Sequence, residues 1–125
     1  MSKKLKMHLS EVNDKKSRKQ FHRLPLIIYR DDPNFACPLQ GMVENIFDPQ
    51  KNPSFKNGDA IRWVLTDDNQ KPIGRIAAFY NLDKAKTFEQ ITGGCGFFEC
   101  IDSQEAANLL FDTARDWLKS KGLIQ

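Results

Sequence analysis

The residue whose chemistry is easiest to argue is a glutamate set in an otherwise apolar run. Glu99 stands in Gly96-Phe97-Phe98-Glu99-Cys100, and a carboxylate so placed could act as a general base toward an amine. The structural alternative is a glutamate at the exposed end of a strand, or one paired with Arg75 or Arg62. Cys100 beside it could be a nucleophile, but no histidine neighbours it in sequence, and cysteine is equally a small core hydrophobe. Tyr29 and Tyr80 carry phenols that could donate a proton. His22, between Phe21 and Arg23, reads as a surface or boundary residue, and Ser10 and Ser103 read as helix caps. The three cysteines, Cys37, Cys95 and Cys100, are odd in number and lack metal-ligand spacing, which suits reduced thiols and no metal. No phosphate-binding glycine motif or nucleophile elbow is present.

The elements that must position these residues follow from periodicity. Residues 95–101 read as a strand buried on both faces, bounded by Gly93-Gly94 and Asp102-Ser103. A helix follows at once, with Asp102 as N-cap and Glu105 completing a capping box. Its apolar face is Ala107, Leu110, Phe111, Ala114, Trp117 and Leu118, and Gly122 is suited to end it. At the front, Leu5, Met7 and Leu9 alternate with polar residues as in a half-buried edge strand, with His8 outward. Asn13 or Asp14 caps a helix to about Arg23, and Pro25 is expected to restart a short helical piece through Tyr29. Pro38 opens another helix, Leu39 to Phe47, with Met42, Val43, Ile46 and Phe47 on its apolar side. Ile61, Trp63 and Leu65 then alternate with Arg62, Val64 and Thr66. After the turn residues 67–70, a second strand runs from Ile73 to Tyr80, making a hairpin. Gly74, Ala77 and Ala78 suggest close packing against that strand, preferably by a helix. Residues 81–94 form a connection. The order β-α-α-β-β-β-α implies an α/β (α+β) fold with a mixed, mainly antiparallel sheet covered by helices.

At 125 residues the chain is expected to be one domain with a real core. The net charge of +3 is unevenly distributed: the first 24 residues carry eight Lys and Arg against two acids, leaving the remainder net negative. That segment could contact nucleic acid or acidic lipid, but a solvated helix face explains it too, and neither nucleic acid nor membrane is taken as a partner. No apolar run is long enough to span a bilayer. No apolar segment follows the basic start as in a secretory signal, so a cytoplasmic location is expected.

The element order and several strings resemble the GNAT-type acyl-CoA N-acyltransferase superfamily. Tyr29-Arg30-Asp31-Asp32-Pro33-Asn34, Asn52-Pro53-Ser54-Phe55, Gly74-Arg75-Ile76-Ala77-Ala78 and Gly96-Phe97-Phe98-Glu99-Cys100 with Trp117 downstream are similar to the N-terminal part of longer bacterial GNAT-like proteins. The resemblance implies transfer of an acyl group from acetyl-CoA or another acyl-CoA to an amine. It implies Glu99 as base, with Cys100, Ile101, Asp102 and Ser103 along the cofactor arm. In such proteins a glycine-rich turn at the helix start holds the pyrophosphate. Here no glycine occupies that turn, and Asp102 and Glu105 oppose phosphate, so a degenerate or incomplete catalyst is expected. The tyrosine role of the superfamily does not map onto Tyr29 or Tyr80. The resemblance also implies a C-terminal strand, helix and strand beyond residue 125, whose lack would leave an open sheet edge. A second copy, a downstream half or another partner would then cover that edge. The alternative function is a non-catalytic module that binds a partner through it.

Overall fold

A computed structural model describes residues 6–32, 40–52, 55–56, 58–81 and 93–123. Leu5, Cys37, the Pro38-Leu39 helix start, Pro53-Ser54, residues 82–92 and Ile124 lie outside them. The elements are strand β1 (His8–Glu11), helices α1 (Lys15–Ile28) and α2 (Gln40–Ile46), strands β2 (Gly58–Thr66), β3 (Pro72–Asn81) and β4 (Gly94–Cys100), and helix α3 (Gln104–Ser120). The strands form one antiparallel sheet in the order β1-β2-β3-β4. No helix among the described residues is long and apolar enough to cross a membrane.

The β2–β3 hairpin forms as expected. The Asp67 carboxylate accepts the N–H groups of Asn69 and Lys71 in the turn, an arrangement in which an Asp side chain imitates a backbone turn. Alternation then sorts side chains onto two faces. Trp63, Leu65, Ile73, Ile76 and Ala78 meet Ala106, Leu110, Ala114 and Leu118 of α3, and Leu123 seals the end. This face is the apolar core. Gly74 lets α3 approach, because a Cβ there would stand 2.7 Å from Leu110 Cδ1. The close packing expected against β3 is therefore supplied at Gly74 by a helix.

Several local expectations need correction. Pro25 does not restart a helix: α1 runs unbroken through it. Proline removes one i→i−4 bond, here the one to the Phe21 carbonyl, and that carbonyl accepts Arg75 Nη1 at 3.1 Å instead. Asp14 caps α1 through a box closed by Ser17, whose hydrogen bonds hold the Asp14 carboxyl below its ordinary range. The N-cap of α3 is Ser103, not Asp102; its side chain accepts the Ala106 N–H. Ala106 rather than Ala107 is in the core, and Phe111 is exposed. Among the described residues β4 is an edge strand, and it is mostly half-buried, not buried on both faces. All four residues of β1 are exposed, and only Met7 before it packs against the core. On α2, Val43 is buried but Met42 and Ile46 are exposed.

The Gly74–Leu110 approach makes a direct prediction. Alanine at 74 meets only the movable end of Leu110, whereas the added methyl groups of Gly74→Val overpack the α3 interface and cost about 1–3 kcal/mol. Urea unfolding of the two variants should separate them in that order.

Candidate functional site

The face of the sheet turned toward α1 and α2 is built from charged groups and rings. Arg62 on β2 and Arg75 on β3 are 6% and 4% exposed, and guanidinium groups so buried require partners. Arg62 grips Glu44 of α2 with two bonds, Nη1–Oε2 at 2.5 Å and Nη2–Oε1 at 2.7 Å, the fork geometry that favours Arg over Lys. His22 Nε2 lies 2.6 Å from the same carboxylate. The Arg62 bonds chiefly hold the Glu44 carboxyl below its ordinary range, with His22 assisting against partial burial. The Phe21 ring sits between the two cations, 4.9 Å from the Arg62 guanidinium carbon and 4.6 Å from that of Arg75. Phe47 also packs on Arg62, beside Phe21, and Phe97 lies toward Arg75. Cation–π contacts of this kind strengthen when desolvated.

Glu99 enters this arrangement through a bulge in β4. Ala77 pairs with Gly96 and Arg75 with Glu99, so Phe97 and Phe98 together oppose Ile76. Two residues against one define a β-bulge, and Phe97 adopts a φ of +53° to make it. Gly96 and Phe97 consequently both face α1. Phe98 turns to the other side and stacks on Phe111 at 4.3 Å. Past the bulge, Glu99 faces α1 and its Oε1 accepts Arg75 Nη2 at 2.7 Å. The Tyr29 phenol lies close enough to Glu99 to feel its charge. The adjacent carboxylate is the main cause that raises the Tyr29 pKa, followed by burial. Among the described residues, Glu99 Oε2 and Arg75 Nε are buried without hydrogen-bond partners. One carboxylate oxygen is thus fixed and the other is uncommitted.

Of the residues singled out in the sequence, Glu99 is joined to Arg75, and Tyr29, which sequence reasoning set aside, is brought to it. Cys100 points to the opposite face near Gly74; burial raises its thiol pKa, which disfavours a nucleophilic thiolate. His22 is buried rather than at the surface. The backbone along Cys100–Ser103 is largely engaged. Ile101 N–H donates to the Ile73 carbonyl, and Ser103 N–H to that of Ile101. Asp102 is exposed, and Glu105 occupies the first turn of α3. Two carboxylates at that helix start do not suit a pyrophosphate. A separate cleft of about 660 Å³ lies past the end of β1, lined by Glu11, Arg18, Glu44, Phe47, Arg62 and Trp117 among others. Glu99 does not line it. Among the described residues no cluster of His, Cys, Asp or Glu could hold a metal.

With this geometry in view, the fold is GNAT-like. An acetyltransferase of the GNAT family from Staphylococcus aureus Mu50 superposes with a TM-score of 0.60 at 12% identity, over 94% of this chain and 68% of that one. A proposed acetyl transferase from Pyrococcus furiosus gives 0.58 at 12% identity, over 94% and 78%. In sequence, the chain is 30% identical over 105 residues to the bacterial ceramide synthase of Caulobacter vibrioides, covering 83% of this chain and 27% of that protein. It is 32% identical over 109 residues to protein YghO of Escherichia coli K12, covering 87% and 27%. The chain thus spans about a quarter of the length of these relatives. No protein-family model matches it.

Two predictions follow from the charged layer. Arg75→Met removes the donor to both Glu99 and the Phe21 carbonyl and should cost about 3–5 kcal/mol in urea unfolding. Adding Glu99→Leu should restore part of that loss, because the Phe21 carbonyl still lacks its donor. The second concerns acid. The Glu44 carboxyl is lowered in the folded chain from a value of 4.5, so its stabilisation is complete above about pH 4.5 and disappears as pH falls through the lower folded value. Glu44→Gln should flatten the decline of the melting temperature across that window.

Proposed function

We propose that the chain contributes to transfer of an acyl group from acyl-CoA to a primary amine, with Glu99 as the proton acceptor. The observation that carries this reading is the placement of Glu99 immediately after the β4 bulge of a GNAT-like sheet, held by Arg75 beside Tyr29 with one oxygen uncommitted. The name of the Caulobacter relative supports the reaction class. A ceramide is an amide of a fatty acid with a long-chain amino alcohol, and forming it requires acylation at nitrogen.

Acyl-CoA would supply the acyl group as a thioester. The chain's own residues do the rest. The acceptor arrives as an ammonium ion and must lose a proton before its lone pair can attack. Glu99 is the group on the α1 face able to take that proton. Arg75 fixes the carboxylate orientation. Tyr29, kept protonated, lies beside Glu99 and closes the site from the C-terminal end of α1. The bulge turns Phe97 into the same face and excludes water beside the carboxylate. The acidic start of α3 implies that the diphosphate end of the cofactor is held outside the usual helix-terminus pose.

The test is thiol release from a long-chain acyl-CoA in the presence of a long-chain amino alcohol, with the amide identified by mass. Glu99→Gln, which retains an acceptor for Arg75, should lower turnover by about 10²–10⁴-fold with little change in stability. Turnover equal to that of the unsubstituted protein removes Glu99 from the reaction, and absence of amide at any cofactor concentration removes acyl transfer.

A further inference from the structure

The outward side of α1 carries a pattern that the fold does not require. Lys15, Lys19, Arg23 and Leu26 recur at three- and four-residue spacing on the side opposite Phe21, Leu24 and Pro25, and all four are exposed. Lys16 and Arg18 flank the stripe, also exposed, and no Asp or Glu occurs in Lys15–Ile28. Like charges four residues apart weaken a helix, so the run does not serve helix stability. Nearby acids are engaged elsewhere: Asp14 caps the helix, and Glu44, 3.9 Å from Arg18, is gripped by Arg62 and His22. Apolar side chains accompany the cations. Leu26 is 50% exposed on α1, and α2, tied alongside by Glu44, adds Met42 at 64% and Ile46 at 44%.

Cations with a protruding aliphatic side chain, Leu26, on one helix face, and two more exposed aliphatic side chains on the neighbouring α2, are the chemistry of an amphipathic element that lies in a membrane interface. The cations meet anionic headgroups and the aliphatic groups enter the acyl boundary. We propose that the outer surface of α1, with Met42 and Ile46 of α2, docks on an anionic lipid bilayer. Charge complementarity selects this occupant over a neutral surface. Nucleic acid fits less well, because the stripe carries aliphatic residues and no aromatic ring on which a base could stack. The inference draws its purpose from the acyl-transfer reading, in which a long-chain amine resides in a membrane. Its evidence, however, is the surface itself.

The whole chain is sedimented with vesicles of phosphatidylcholine alone and with vesicles of equal parts phosphatidylcholine and phosphatidylglycerol. Partition should favour the anionic vesicles and decline with salt. At about fivefold per cation, Lys15→Gln with Lys19→Gln and Arg23→Gln should weaken it roughly 100-fold. Leu26→Ser with Met42→Ser should weaken what remains at high salt. Failure to sediment with anionic vesicles, equal partition to neutral ones, or unchanged binding of the triple variant overturns the proposal. Displacement by duplex DNA at equal phosphate would assign the surface to nucleic acid instead and overturns it too. Glu99→Gln should dock normally. If a protein that ignores vesicles still acylates a detergent-dispersed amine, docking alone is wrong; if it docks but makes no amide, only the acyl-transfer reading fails.

Discussion

The carbonyl of Phe21 is the hinge on which the polar half of the molecule depends. Pro25 cannot supply the N–H that this carbonyl would receive in a regular helix, and a buried carbonyl without a donor is costly. Arg75 fills the position from the sheet. One guanidinium thereby does three things: it completes the helix, packs against the Phe21 ring, and turns its other terminal nitrogen to Glu99. The proline that looks like a break in α1 is what lets α1 be bonded to the sheet. Arg62 repeats the arrangement one strand away with Glu44 and His22, so both helices on this face are attached through directional charged contacts.

The two faces of the sheet consequently hold their helices by different physics. α3 lies on Leu, Ile, Ala and Trp side chains and is fixed by area and shape, which tolerate small adjustments. α1 and α2 are fixed by hydrogen bonds, which tolerate little. Their angular demands confer a defined geometry even where their net contribution to stability is small. A carboxylate that must meet a substrate nitrogen at hydrogen-bond distance is better placed on the second kind of surface. Glu99 is there because the bulge at Phe97 resets the alternation of β4. Without the extra residue, Gly96 and Phe98 would share the α1 face and Glu99 would turn toward α3.

Much of the framework was legible in the residues. The hairpin at 58–81, the long terminal helix and the element order follow from period and turn chemistry. The GNAT-like architecture follows from the strings that carry the resemblance. The misses have particular causes. Pro25 reads as a boundary because the compensating donor, Arg75, is 50 positions away. Ser103 and Asp102 are both good caps, and sequence spacing alone does not choose between them. The run 95–101 reads as doubly buried because its apolar content is high, and composition does not reveal that no strand lies beyond it among the described residues. The bulge had one trace, the adjacent Phe97-Phe98 pair, which interrupts any alternation of faces. Tyr29 was set aside because its position does not match the superfamily's tyrosine; its proximity to Glu99 arises because an unbroken α1 delivers its C-terminal end to β4.

The site and the cofactor end of the same unit are in tension, and the tension has a structural basis. The strand that presents Glu99 continues through three residues into α3, whose start is satisfied by Ser103 and made acidic by Asp102 and Glu105. A phosphate there would meet negative charge where the helix dipole would otherwise favour it. The opposite holds around Glu99, where a buried carboxylate oxygen has no donor among the described residues and an ammonium ion has three. The β4–α3 unit therefore presents a carboxylate at Glu99 and an acidic helix start at Asp102 and Glu105, both of which oppose an anion more than a cation.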